Sequence, residues 1–343
     1  MVILKAGRGR PSRRFILEQV DLGMRDLART GGLPSPVESA AIWRDIWYQE
    51  AHNSTAIEGN TLLLREVKVL LDEGRPVGRK ELREYLEVKA YAQAAEWVYA
   101  QGQGGFEWQG QGELLTLTEV RHIHRLVVGP VWDLFPPDDL HPDEGPGSFR
   151  MHNIAPFAGG MVPPSFPDVP AAVADWLTAV NTVPETGEHL LVHLASTHGR
   201  FERIHPFRDG NGRVGRLLLN LLLVRCGYPP AVLRNRDRAK YLAALRRSDG
   251  GDPWPLTEIV ARAVKDSLDR FLLPNLAGPL KLLPITALAS SPREARQLRV
   301  AAERGRLRAL RDDSQRWMST GQWVADYRRT SRVGRPRKTA TPP

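Results

Sequence analysis

His205-Pro206-Phe207-Arg208-Asp209-Gly210-Asn211-Gly212-Arg213-Val214-Gly215-Arg216 is the stretch from which the rest of the chain is read. His205 is the one side chain in it whose ordinary pKa lies near neutrality, so it can take a proton from an incoming hydroxyl. Asp209 offers the hard oxygen that Mg²⁺ prefers, and Mg²⁺ is usually held by one or two carboxylates together with substrate phosphates. Gly210-Asn211-Gly212 can turn successive backbone N–H groups the same way, which makes a nest for an anion at the start of a helix. Arg213 and Arg216, three apart, share a helix face and can fork onto phosphate oxygens. Each group answers a different requirement of a bound polyphosphate.

The residues that follow place this loop. Leu217-Leu218-Leu219-Asn220-Leu221-Leu222-Leu223-Val224 is apolar nearly all round, which predicts a buried central helix. Gly227 and Pro229-Pro230 stop it. The loop therefore lies at the N-terminal end of a buried helix, where the dipole favours negative charge.

HPFRDGNGRVGR resembles the signature of Fic-domain (filamentation induced by cAMP) enzymes and matches HPFx(D/E)GNGRxxR at every specified position. The resemblance implies an all-α fold, a Fic helical core with a short β-hairpin flap. It also implies transfer of AMP from ATP, with Mg²⁺, to a protein hydroxyl (Ser, Thr or Tyr) with release of pyrophosphate. By the same resemblance His205 is the base, Asp209 the Mg²⁺ ligand, and Gly210, Asn211 and Gly212 the anion hole. Arg213 and Arg216 hold the β- and γ-phosphates, and Phe207 anchors the loop beside the nucleotide. The Doc toxins, which move a γ-phosphate, resemble the pattern but carry Ala and Lys where this chain has Gly210 and Gly212. AMP transfer is therefore expected rather than phosphorylation.

Ser54-Thr55-Ala56-Ile57-Glu58-Gly59-Asn60 resembles the (S/T)xxxE(G/N) inhibitory motif of the same family, with Ser54, Glu58 and Gly59 in the matching places. On a helix Ser54 and Glu58 lie one turn apart, so the hydroxyl is expected to steady the carboxylate. The resemblance implies that Glu58 pairs with Arg216 and withholds it from the γ-phosphate, the arrangement of an N-terminal inhibitory helix. In some relatives the corresponding glutamate also positions water for removal of AMP, so that reverse activity is open here. Including Gly147-Ser148-Phe149-Arg150 and the segment from Arg238 to Leu245, the resemblance covers roughly residues 15 to 275. Between them, Phe157-Ala158-Gly159-Gly160-Met161-Val162-Pro163-Pro164-Ser165-Phe166 is too rich in Gly and Pro for a helix. Fic enzymes carry a flap there that pairs with the target backbone, and Met161 and Val162 are its expected rim.

Other features carry less. His189 and His193 stand four apart but lack the HExxH glutamate, so they read as core histidines. Cys226 is the only cysteine, which excludes disulfides within the chain, and reads as packing in the buried helix. Trp43 and Trp47 read as interhelical contacts. No stretch approaches a membrane span and the N-terminus lacks a signal peptide's apolar run, so no membrane partner and a cytoplasmic location are expected.

Charge is divided unevenly. Residues 285–343 hold 14 Lys+Arg and 5 Asp+Glu, the first 14 residues hold 5 basic and no acidic side chains, and the middle is net −5. The basic ends point to nucleic acid. Pro284 to Ala289 can form a short helix, and Ser291-Pro292-Arg293-Glu294 opens a second, with Ala295, Leu298, Ala302 and Leu307 on its apolar side. Two short strands are expected between Leu307 and Thr320, and Trp323 to Tyr327 a closing helix. The succession is similar to small winged helix-turn-helix modules of the excisionase type. Gly334-Arg335-Pro336-Arg337-Lys338 resembles an AT-hook core, echoed by Gly9-Arg10-Pro11.

The organisation read from these signals is a basic arm over 1–14, a helical region with the inhibitory helix over 15–135, and a catalytic core over 136–275. A linker over 276–284, a DNA-binding module over 285–330 and a basic tail over 331–343 follow. Expected partners are a protein target with a hydroxyl side chain, the chain itself through self-modification, DNA through the C-terminal module, and a second copy, since relatives often self-associate. The alternative is a DNA-binding transcriptional regulator that uses the Fic body as a nucleotide sensor. His205 and Asp209 favour catalysis, because a sensor needs the nest and the arginines but not the base.

Overall fold

A computed structural model of the protein describes residues 13–102, 113–157, 160–184, 187–276, 282–312 and 314–331. The basic arm up to residue 12 and the AT-hook-like tail lie outside the described residues. The chain divides into two compact units, Met1–Ser267 and Leu268–Pro343. Among the described residues no helix is long and apolar enough to cross a membrane.

The first unit is helical: α1 (Arg13–Arg29), α2 (Ala40–Ile57), α3 (Leu64–Glu73), α4 (Leu82–Ala100), α5 (Leu117–Trp132), α6 (Val169–Asn181), α7 (Leu190–Ile204), α8 (Asn211–Arg225), α9 (Arg238–Asp249) and α10 (Trp254–Ser267). The leucine-rich α8 runs through the centre and packs on α2, α4, α5 and α7. All of it but Gly212 and Arg225 is buried. Each buried leucine contributes roughly 1.5–3 kcal/mol, which fixes this helix as the axis of the core. It ends in a Schellman motif, with Tyr228 N–H donating to Leu223 O at 2.8 Å and Gly227 N–H to Val224 O at 3.0 Å. Gly227 takes the left-handed φ of 77° that the motif needs. Cys226 is thus at the helix end, half-buried, rather than within the helix.

α2 ends the same way. Asn60 N–H donates to Thr55 O and Gly59 N–H to Ala56 O, each at 3.1 Å, with Gly59 at φ 106°. This termination leaves Glu58 as the capping residue just past the helix. Of the Gly- and Pro-rich flap, Phe157 N–H donates to Met161 O at 2.9 Å. The described residues around it form no strand ladder, and residues 158–159 of the expected flap lie outside the described residues. Pro156, Pro163 and Pro164 lack the N–H groups a ladder would use.

The second unit begins with a π turn, Leu268–Leu272, and continues with β1 (Leu282–Pro284), α11 (Ile285–Leu288), α12 (Pro292–Glu303), β2 (Leu310–Arg311), β3 (Trp317–Thr320) and α13 (Gly321–Ser331). The strands pair antiparallel in the order β1-β3-β2. The two helices, two strands and closing helix follow the sequence expectation; β1, three residues running into a proline, is additional. Ser291 caps α12 by accepting from Glu294 N–H at 3.2 Å. Arg308 lies over the Trp323 ring at 4.2 Å and donates from Nε to the buried Asp269 at 2.9 Å. That pair ties the π turn to this unit, which begins at Leu268.

Candidate active site

His205 follows α7 in the left-handed region, φ 48° and ψ 60°. A non-glycine residue there carries backbone strain of about 1–2 kcal/mol, held here by its surroundings. Its N–H donates to Phe201 O at 3.0 Å, and its carbonyl accepts from Arg150 Nε at 2.9 Å. In the ring, Nδ1 faces Glu202 O at 3.3 Å. A carbonyl only accepts, so Nδ1 carries the proton and Nε2 keeps its lone pair. Burial lowers the pKa of the ring. The result is a neutral imidazole with a free acceptor, covered edge-on by Phe157 at 4.9 Å.

The loop after His205 is built around Phe207 and Asn211. Phe207 is fully buried and stacks on His124 with centroids 3.8 Å apart, which makes it the anchor expected of it. The Asn211 side chain accepts from Phe207 N–H at 2.8 Å and donates to Phe207 O at 2.7 Å. Its side chain is therefore committed to the loop, and what it can offer an anion is its backbone. Gly210 sits at φ 78°, where a Cβ would stand 2.7 Å from Val128 Cγ1. Only glycine lets the loop enter α8 here. Asp209 accepts from Gly210 N–H at 2.6 Å and meets Arg213 at 3.3 Å; its carboxylate is 41% exposed.

Arg213 and Arg216 share one face of α8, as their spacing predicts, and both are buried. Arg213 Nε has no hydrogen-bond partner, a buried donor that a phosphate oxygen would satisfy. Arg216 is engaged through Nε and Nη2. Its Nη2 donates to Glu58 Oε1 at 2.7 Å and to Ser54 O at 2.9 Å, and its Nε donates to Ser54 Oγ at 2.7 Å. The Ser54 hydroxyl thus steadies the guanidinium, a correction to the expectation that it steadies Glu58. Burial opposes ionisation of Glu58, but the Arg216 charge and hydrogen bond outweigh it and lower the pKa. The Glu58 carboxylate fills the space above Gly212, where a Cβ would stand 2.3 Å from Glu58 Oε1. Gly59 contributes the turn that aims Glu58.

Of the two flap residues, Met161 is buried and Val162 is 52% exposed. Only Val162 can form a rim.

Several residues of the site escaped sequence reasoning. Arg150, 1% exposed, donates to the carbonyls of His205, His152 (2.8 Å) and Pro164 (2.6 Å), joining flap to base. His124 accepts from Gly147 N–H at 2.7 Å through Nδ1 and donates through Nε2 to Asp209 O at 3.1 Å. Beneath Arg216 lies Glu50, which accepts from Tyr99, from Tyr91 at 2.8 Å and from Asn220 at 2.6 Å. Glu202 is buried beside α8. The only sequence sign of these would be polar residues inside apolar helices, which does not name their partners. His189, by contrast, caps α7 from outside the helix and meets Asp21 at 3.0 Å, as a satisfied structural histidine.

A loop with Gly210 in the left-handed region, a neutral imidazole, an exposed carboxylate and two buried arginines on one helix thus lie in one segment, and residues 114–223, which contain it, match the Fic/DOC family. The chain is a Fic-domain protein. It is similar to the protein adenylyltransferase Fic of Aedes aegypti, 31% identical over 242 residues, which covers 70% of this chain and 45% of that relative. The chain therefore spans about half the length of the curated relatives it matches. A Fic domain containing signaling protein from Bacteroides thetaiotaomicron has the same fold, with a TM-score of 0.60 and 26% identity over 73% of this chain and 94% of that one. Fic-1 from C. elegans superposes with a TM-score of 0.59 and 25% identity over 75% of this chain and 71% of that one.

Proposed function

We propose that this protein transfers AMP from ATP to a hydroxyl side chain of a protein, and that Glu58 holds the activity back. The target hydroxyl attacks the α-phosphorus and gives its proton to His205 Nε2, and pyrophosphate leaves. The N–H groups of Asn211 and Gly212, joined by Gly210 N–H once Asp209 releases it, would with Arg213 and Arg216 meet the charge that develops on the phosphates. Asp209 is an exposed carboxylate, and no group of three acids, histidines or cysteines among the described residues could hold a metal by itself. That fits Mg²⁺ brought in with ATP, completed by phosphates and water, where it would neutralise phosphate charge.

The observation that carries autoinhibition is the 2.7 Å pair of Glu58 with Arg216. A hydrogen bond to a charged group contributes roughly 1.5–3 kcal/mol, so its release should raise productive ATP binding about ten- to a hundredfold. With labelled ATP and Mg²⁺, Glu58→Gly is expected to raise self-labelling by that order and His205→Ala to eliminate it. No label on the Glu58→Gly protein, on itself or in lysate, refutes the reading. If Glu58 also orients a water for removal of AMP, that activity would appear as loss of label that needs Glu58.

DNA binding is proposed for the second unit. Its structural arginines, 308, 316, 328 and 329, pair with Asp269, Asp312, Glu294 and Asp326. Arg293, Arg296 and Arg299 instead line the exposed side of α12, opposite the buried Leu298, Ala301 and Ala302. Beside them a concavity of about 430 Å³ includes Arg299, Arg311 and Trp317 in its wall. A basic helix face next to a hairpin fits a groove and its phosphates.

A further inference from the structure

Glu202 is a buried carboxyl to which the reaction above assigns no task. We propose that Glu202 is a positioning residue for Arg216, carrying a proton while an anion holds the guanidinium and giving it up when the guanidinium is bare. The inference rests on the AMP-transfer reading, since the incoming anion is the phosphate of ATP.

Glu202 stands on α7, four residues from His198 and three from His205. Its carboxyl is pressed against α8, so close that a Cβ on Gly215 would stand 2.3 Å from Oε1. Oε1 is buried without a hydrogen-bond partner. Such an atom is costly unless the group stays neutral or a charge faces it.

The groups that face it decide which. On its own helix, His198 Nε2 lies 3.9 Å away but is engaged by the Tyr241 hydroxyl at 2.8 Å. Burial holds that imidazole at about 3, so it brings no positive charge. His205, joined to the Glu202 carbonyl, is neutral as well. From α9 comes only the Tyr241 phenol. From α8 comes the one cation, Arg216, and from the end of α2 a competing acid, Glu58. Glu58 and Glu202 thus share one guanidinium, Glu58 by a direct bond and Glu202 through space, while Glu50 beneath it is held by Tyr91, Tyr99 and Asn220 and burial raises its pKa.

Like charges in one site do not both ionise freely. With Glu58 in place, burial first and then Glu58 push Glu202 up to about 8, against the pull of Arg216. When Glu58 withdraws, the opposing charge goes and the buried guanidinium lacks a counterion. Glu202 then ionises and its proton passes to solvent. When phosphate oxygens reach Arg216, the proton returns. The balance is one proton taken up from solvent for each ATP bound, wherever bare Glu202 is ionised and the occupied form is not.

The test is calorimetric titration of the full chain carrying Glu58→Gly and His205→Ala, which binds without turnover, with Mg²⁺ and ATP. Buffers of different ionisation enthalpy at about pH 7.5 report the protons exchanged. Uptake of about half a proton or more per ATP is expected, and its loss on adding Glu202→Gln. Phosphate binding to cations by itself releases protons, so the sign separates the two. Absence of uptake in the parent protein, before any change at Glu202, overturns the inference, as does uptake that survives Glu202→Gln. Failure of ATP to bind at all overturns the AMP-transfer reading as well. In turnover, Glu58→Gly should show KM for ATP rising about threefold between about pH 7 and 9 with kcat nearly constant, and Glu202→Gln should flatten that slope. A purely structural Glu202 would lower the melting temperature and leave the slope in place.

Discussion

His205 owes its readiness to two contacts and to burial. Nδ1 is committed to a carbonyl, so the proton-accepting nitrogen is always Nε2. Burial lowers the pKa from its ordinary 6.5, and the base form is lost only as pH falls through that lower value. The acid limb of kcat/KM for the Glu58→Gly protein is therefore expected below pH 6.5. A midpoint at or above the ordinary value would show that the ring is solvated, contrary to the structure. The residue types needed for this chemistry were legible in the motif, because base, carboxylate, glycines and arginines stand within one turn and one loop. What was not legible is which atoms they spend on one another. Asn211 looks like a ligand in the motif and serves as a clamp on Phe207. Ser54 looks like a prop for Glu58 and holds Arg216.

At the scale of elements, the contact of Glu58 with Arg216 depends on how α2 stops. The Schellman end at Gly59 turns the chain so that Glu58 meets α8, and the φ of 106° disfavours any residue with a Cβ. Gly59→Ala should cost about 1 kcal/mol of stability, lowering the melting temperature by a few degrees. It should also raise self-labelling, because Glu58 loses its aim. A variant that is destabilised but no more active would place the inhibitory geometry elsewhere. The buried α8 could be read from its run of leucines, since burial all round leaves that composition. The flap could be read only as irregular; that Arg150 fastens it to His205 O and Pro164 O depends on segments distant in sequence.

At the scale of the whole molecule, an acidic catalytic body is followed by a small basic unit. For the intact chain carrying Arg293→Ala, Arg296→Ala and Arg299→Ala, DNA affinity should fall and the slope of log affinity against log salt should lessen by about 3. Self-labelling should be unchanged, because none of the three lies in the Fic unit. An unaltered salt slope would sink the assignment of α12 as the DNA-facing helix. The helices and strands of this unit were expected in order, but Arg308 was counted among the basic residues and is used instead between Asp269 and Trp323. Net charge does not distinguish a free arginine from a paired one.

By itself the sequence determined the reactive groups and the buried helix that presents them; that Glu58 meets Arg216 came only as what the resemblance implies. Each of these rests on local spacing, or on a short pattern whose chemistry admits few substitutes. Only the tertiary structure decided that Arg216 is held by both Ser54 and Glu58, that Arg150 joins the flap to the base, and that Glu202 lies behind α8. Those contacts join residues from helices far apart in the chain. Burial and the low dielectric around them set the charges, and neither is written in any single segment.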